Sequence, residues 1–143
     1  MFTVKPVRER KLQEALAKVF GCEYFSDSYA FLAGNSDDGE VLTSLLGFSQ
    51  FVMHSDRDAV IKNVTPAPNF YDEEVIIIMV RALMNFVYRA GIPTIYMDSA
   101  ACSEEMTKKF GFRKDENGNW AIDLKKFYFS PCHYNDNNEV NAD

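Results

Sequence analysis

Residues 73–90 constrain this chain more than any other segment. Val75-Ile76-Ile77-Ile78-Met79-Val80 has strand propensity, yet the apolar pattern continues for about five helical turns. Asp72, Glu73 and Glu74 suit a helix N-terminus, where carboxylates meet the positive end of the dipole. Arg81, Asn85 and Arg89 recur every four residues as one polar stripe, and Gly91 and Pro93 end the pattern. The reading is a helix, apolar almost all round and therefore mostly buried. Arg81 interrupts it well short of the ~20 residues that a membrane helix needs. Such a helix requires a broad apolar surface to lie on, and a sheet supplies one.

The rest of the chain offers the strands. Tyr29–Ala33 is short and apolar. The cluster Asn35-Ser36-Asp37-Asp38-Gly39 reads as a hairpin turn, and Val41–Met53 as a long strand with a bulge or bend at Gly47. Ala59–Val64 is the next strand, ended by Pro66 and Pro68. Thr94–Met97 is a short buried strand. Phe112–Lys114 and Trp120–Phe129 read as strands around the Asn117-Gly118 turn. Two further helices are expected. One spans about residues 8–20, with Leu12, Ala15, Leu16, Val19 and Phe20 on its apolar face and Gly21 as its stop. The other spans about 103–110, capped by Ser103, with Met106 and Phe110 inward. Helices interleaved with antiparallel strands give an α/β (α+β) chain. Its central sheet is mixed, mostly antiparallel, of about six or seven strands. One domain is expected over residues 1–130, and the polar stretch 131–143 reads as a fraying tail.

Charge and cysteine content narrow the partners. Fifteen basic against 21 acidic residues leave a net charge of −6, which opposes nucleic acid as the main ligand. Lys5, Arg8, Arg10, Lys11 and Lys18 read as the solvated face of the first helix. No signal-like apolar run opens the chain, so a cytoplasmic location is expected. Cys22, Cys102 and Cys132 are odd in number, far apart and without a Cys-x-x-Cys pair, so no zinc site or disulfide framework is expected.

Three local matches carry a family resemblance. Ile61-x-x-Val64-x-Pro66 resembles the fourth strand, and the proline after it, of the GNAT superfamily of N-acetyltransferases. Val75–Gly91 resembles that family's following long helix. Thr107-Lys108-Lys109-Phe110-Gly111-Phe112 resembles its Tyr-x-x-Leu-Gly-Phe segment. The resemblance covers about residues 2–129. It implies acetyl-CoA as cosubstrate and transfer of an acyl group to an amine on a small molecule or a protein. It implies that the backbone of Asn63, Val64 and Thr65 holds pantetheine and the acyl carbonyl. It further puts Asn69 and Phe70 in the pyrophosphate loop, with Thr107 at the place of the family's tyrosine acid.

That loop departs from the family's Q/R-x-x-G-x-G/A. Asn69 stands for the first residue, and Asp72 and Glu74 replace the two glycines. Glycines let a phosphate approach bare backbone N–H groups, whereas carboxylates repel it. Thr107 is a far weaker acid than a phenol, and no catalytic acid or base is assigned. The alternative is a non-catalytic GNAT-fold protein that binds another small ligand or a protein partner.

Other polar residues stay open. His54 suits a surface turn better than a base. Ser49 and Gln50, mid-strand, face either solvent or a cleft. Asp98 either serves a site at its strand end or caps the next turn. Tyr24, Phe25, Tyr29 and Phe31 form either core or an aromatic cleft wall.

Overall fold

The computed structural model describes residues 1–129. The chain runs β1 (Phe2–Val7), α1 (Arg10–Phe20), β2 (Tyr29–Ser36), β3 (Leu42–His54), β4 (Asp58–Pro66), α2 (Glu73–Arg89) and β5 (Thr94–Met97). It continues with α3 (Glu104–Phe110), β6 (Arg113–Lys114), β7 (Trp120–Asp123) and α4 (Leu124–Phe129). The strands form one seven-stranded sheet in the order β1-β2-β3-β4-β5-β7-β6. Among the described residues only β4 and β5 pair in parallel. Their parallel pairing is made by α2, which crosses one face of the sheet between them.

Each face carries its own apolar cluster. Leu16, Ala17 and Phe20 of α1 pack on Ala30, Leu32 and Phe48. On the opposite face Ile76, Met79, Val80, Leu83, Met84 and Val87 of α2 pack on Ala33, Phe51 and Ile61. Helix α2 is therefore buried on one broad face, while Ile78 and Phe86 stay partly exposed. Asp72 is its N-cap and accepts the Glu74 N–H at 3.0 Å.

Several expectations change. Helix α1 starts at Arg10, because β1 occupies the chain to Val7. It buries Gln13, Leu16, Ala17 and Phe20, leaving Leu12, Ala15 and Val19 exposed. Gln13 turns the helix inward because its amide has buried partners on the sheet. Strand β3 bulges against β2 at Leu46 and again at Thr43: Ala33 pairs with Gly47 and Gly34 with Leu45, then Asn35 with Ser44 and Ser36 with Leu42. Gly47 serves close packing instead, since a Cβ there would lie 3.1 Å from Ile76 Cδ1 and 3.3 Å from Met79. The strand expected over Trp120–Phe129 ends at Asp123. Asp123 accepts the Lys126 N–H at 3.2 Å, and Leu124 and Phe127, three apart, are buried as α4. Tyr128 stacks on Tyr88 of α2 at 4.7 Å. The expected tail, with Cys132 and His133, lies outside the described residues. Among those residues no helix is long and apolar enough to cross a membrane.

Candidate functional site

The site with the most distinctive geometry is the seam where β4 and β5 part. The two strands pair from Asp58↔Thr94 to Ile61↔Met97. Beyond that, β4 continues to Pro66 while β5 turns away into α3. An extra residue in β4, Lys62, shifts its register against β3: Gln50 pairs with Asn63 and Phe51 with Ile61. The bulge places Lys62 and Asn63 together toward α1, while Ile61 and Val64 join the α2 cluster.

The opening seam is bridged by the chain itself. Asp98 donates its N–H to Ile61 O at 3.0 Å, and Val64 donates its N–H to Ala101 O at 3.1 Å. The turn between them is held by Asp98, whose carboxylate accepts the Ala100 N–H at 2.9 Å and pairs with Lys62 at 3.2 Å. The Ala100 N–H first, then Lys62, hold this carboxyl below the usual carboxylate range. Asp98 thus caps its turn.

Between β4 and α3 lies a slot of about 320 Å³. Val64, Pro66, Ile76, Met106 and Phe110 make it apolar; Tyr71, Cys102 and Ser103 are its polar groups. Tyr71 reaches across its mouth, with Oη 3.4 Å from Met106 Sδ. Glu73 of α2 and Lys109 of α3 form an ion pair over the same gap. Burial pushes the Cys102 thiol up from its ordinary value, which keeps it protonated at neutral pH. Among the described residues no carboxylate or imidazole lines the slot.

The residues assigned by family position differ in their surroundings. Val64 lines the slot, but its N–H is bonded to Ala101. Asn63 is buried and its amide points into the α1 side, accepting from Gln50 Nε2 at 2.9 Å and donating to Thr65 Oγ1 at 2.9 Å. Asn69 and Phe70 are exposed ahead of α2. Thr107 is 2% exposed and donates its hydroxyl to Ser103 O at 2.8 Å. His54 is far away, paired with Asp58 at the β3–β4 hairpin.

Ser49 and Gln50 face neither solvent nor a cleft, since both are fully buried. Gln50 Oε1 accepts from Gln13 Nε2 at 2.9 Å and from the Phe25 N–H at 3.0 Å; its Nε2 donates to Glu23 O at 2.7 Å. Ser28 joins through Gln13 Nε2 at 2.7 Å. This network fastens the α1–β2 loop to the sheet centre. Gln13 was hidden from sequence reasoning because a lone polar residue beside an apolar stripe reads as solvent-facing. Of the four aromatics, Phe31 is core, Phe25 lies under Lys62 at 5.5 Å and Tyr29 stacks on Phe51 at 5.7 Å. Tyr24 packs against the α1 cluster. Among the described residues no group of three or more His, Cys, Asp or Glu is placed to hold a metal.

No family model matches this chain, and no curated protein matches it in sequence. Solved structures do. A variant of the spermidine N-acetyltransferase from Vibrio cholerae superposes with a TM-score of 0.65 at 10% identity, over 92% of this chain and 98% of that one. The ribosomal-protein-S18-alanine N-acetyltransferase from Escherichia coli gives 0.60 at 14%, over 85% and 90%. The aminoglycoside 6'-N-acetyltransferase from Enterococcus faecium gives 0.59 at 14%, over 85% and 96%. At these identities the likeness carries architecture alone: this chain has the GNAT fold that those acetyltransferases share.

Proposed function

We propose that this chain is a GNAT-fold binding protein that does not transfer acyl groups from coenzyme A. It takes a small, uncharged, mainly apolar ligand in the slot between β4 and α3. The observation that carries this reading is the bond from Val64 N–H to Ala101 O. The resemblance gives the backbone of Asn63, Val64 and Thr65 to pantetheine and the acyl carbonyl, and here one donor of that segment, the Val64 N–H, is already satisfied within the chain. Inserting acyl-CoA would require breaking that bond.

The start of α2 supports the same reading. Asp72 uses its own carboxylate to cap the helix, so the N-terminus is already served. Asp72, Glu73 and Glu74 put negative charge where a pyrophosphate would sit. One like-charge pair at ~5 Å costs on the order of 3 kcal/mol at an effective dielectric of 20, before solvent screening. Lys109 offsets only one of these carboxylates. The slot's volume of about 320 Å³ lies at the lower end of ligand pockets, roughly 300–1,000 Å³.

Thermal unfolding with about 1 mM acetyl-CoA tests this directly. The expected result is no shift in midpoint, and no release of free coenzyme A thiol with spermidine, an alanine-terminated peptide or an aminoglycoside as acceptor. A ligand present at ~100 times its Kd would stabilise by roughly 2.7 kcal/mol. At this chain length the midpoint would then rise roughly 5–10 °C. A rise of that size with thiol release would overturn the reading and make the chain an amine acetyltransferase. Replacing both Asp72 and Glu74 with Gly is expected to raise acetyl-CoA affinity; unchanged affinity would remove the electrostatic part of the argument.

A further inference from the structure

The far end of α2 carries a second hollow of opposite character. Arg89 lies 13 residues beyond Ile76, the helix's contribution to the slot, so the two places are about 20 Å apart along the axis. An inner cavity of about 200 Å³ is bounded by Arg8, Arg10, Tyr29, Phe31 and Phe86. It adjoins a groove of about 440 Å³ that shares Arg8, Phe31 and Phe86 and adds Arg89. Among the described residues no carboxylate lines either one. In a chain of net charge −6, three arginines with no lining acid are a local reversal of sign. Glu9 and Asp27, their neighbours in sequence, stay outside the lining.

These arginines have donors to spare. Arg8 and Arg89 find no acceptor among the described residues. Arg10 spends one nitrogen, Nη1, on Ser28 O and on Gln13 Oε1. That bond fixes the Arg10 side chain at the cavity wall and leaves its other nitrogens unbonded. The first turn of α1 contains no acid, and its N-cap, Glu9, makes no side-chain capping bond. Three rings, Tyr29, Phe31 and Phe86, stand in the remaining wall beside Pro6 and smaller side chains. Phe86 lies 5.6 Å from Phe31, edge-on, and 6.3 Å from Tyr29. Tyr29 and Phe86 are 46% and 37% exposed.

We infer that this hollow binds a small planar organic anion, with its ring against Tyr29 and Phe86 and its carboxylate or phosphate at Arg8, Arg10 and Arg89. A guanidinium fork matches both anions in two-point geometry, and an aromatic edge favours a flat apolar body. The site is separate from the slot and does not depend on what the slot holds.

Calorimetric titration with phenyl phosphate and with benzoate tests the site and distinguishes the two anion classes. Phenol and inorganic phosphate serve as the half-ligands. At least one full probe is expected to bind with a Kd below about 1 mM, and each half-ligand at least about tenfold more weakly. The double variant Arg8→Ala with Arg89→Ala is expected to lose about tenfold or more in affinity. Neither side chain has a hydrogen-bond or ion-pair partner among the described residues, so the variant is expected to keep its unfolding midpoint. Chemical-shift mapping on the unmodified protein gives a readout independent of the variant, with changes expected at 28–31 and 85–89 and none at 64–71. Absence of binding by both probes at about 10 mM would overturn the inference. So would shift changes centred on the slot, equal binding by phenol, or unchanged affinity in the double variant.

Discussion

Gln50 shows how much one buried amide can organise. It sits mid-strand with no exposure and links α1, the α1–β2 loop and β4. Replacing Gln50 with Leu would leave Gln13 Nε2 and the Phe25 N–H without this acceptor. The expected loss is about 2–4 kcal/mol, read by urea unfolding, because each buried polar group left unpaired costs roughly 1–3 kcal/mol. Asp98 makes a pH-dependent contribution. Its carboxyl titrates below the ordinary value when folded. It therefore stabilises above about pH 4 and loses that contribution as the pH falls through the folded value. Asp98→Asn removes the charge facing Lys62, so the variant is expected to be less stable at neutral pH and to converge with the parent in acid. Parallel denaturation curves across that range would check it. Both Cys22 and Cys102 have thiols raised by burial. Slow alkylation of each by iodoacetamide at neutral pH, rising sharply in denaturant, is the expected pattern by peptide mass mapping.

At the scale of elements, α2 is the piece on which the molecule depends. Leu83 and Met84 are fully buried against the sheet and α4 side. Leu83→Ala is expected to cost about 2–5 kcal/mol, since the surrounding core relaxes only partly around the cavity. The two ends of α2 have separate chemistry. Its N-terminus is acidic, self-capped and tied to α3 by Glu73–Lys109, whereas its C-terminus brings Arg89 to a basic, aromatic hollow. Helix α3 is short, and Ser103 caps it by accepting the Met106 N–H at 3.2 Å. Thr107 inside it returns its hydroxyl to the Ser103 carbonyl, which explains why the position is buried and bonded.

For the molecule as a whole, the single parallel contact between β4 and β5 decides the available chemistry. A parallel pair that diverges exposes backbone donors at its fork. In this chain the Asp98–Ala101 turn fills part of that fork, and the apolar slot is what remains. The net charge of −6 is unevenly spread. Acids gather at the start of α2, and arginines at its end. A ligand's charge is therefore expected to determine which end of the helix it approaches.

Local pattern was enough for most of the architecture. The spacing of apolar residues and the Gly, Pro and Asp-Gly punctuation located α2, α3, β3, β4 and β5 to within a residue or two, because those signals depend on chain-local geometry. The acidic start of α2 was equally legible at Asp72–Glu74, and Asp72 does cap the helix. Helix α4 falls inside the strand expected over Trp120–Phe129, because Leu124–Phe129 is too short for a helical period to show; the stacking of Tyr128 on Tyr88 belongs to the tertiary structure. The inward turn of Gln13 needed Gln50, 37 residues away, and the bond from Val64 to Ala101 needed two strands to part. The arginine hollow joins Arg8 and Arg10 to Arg89 across the sheet edge. Residue type and period are written in the chain one segment at a time. Which polar groups meet is decided only when distant segments share a surface, because hydrogen bonds and charge pairs act over a few ångströms of space and not along the sequence.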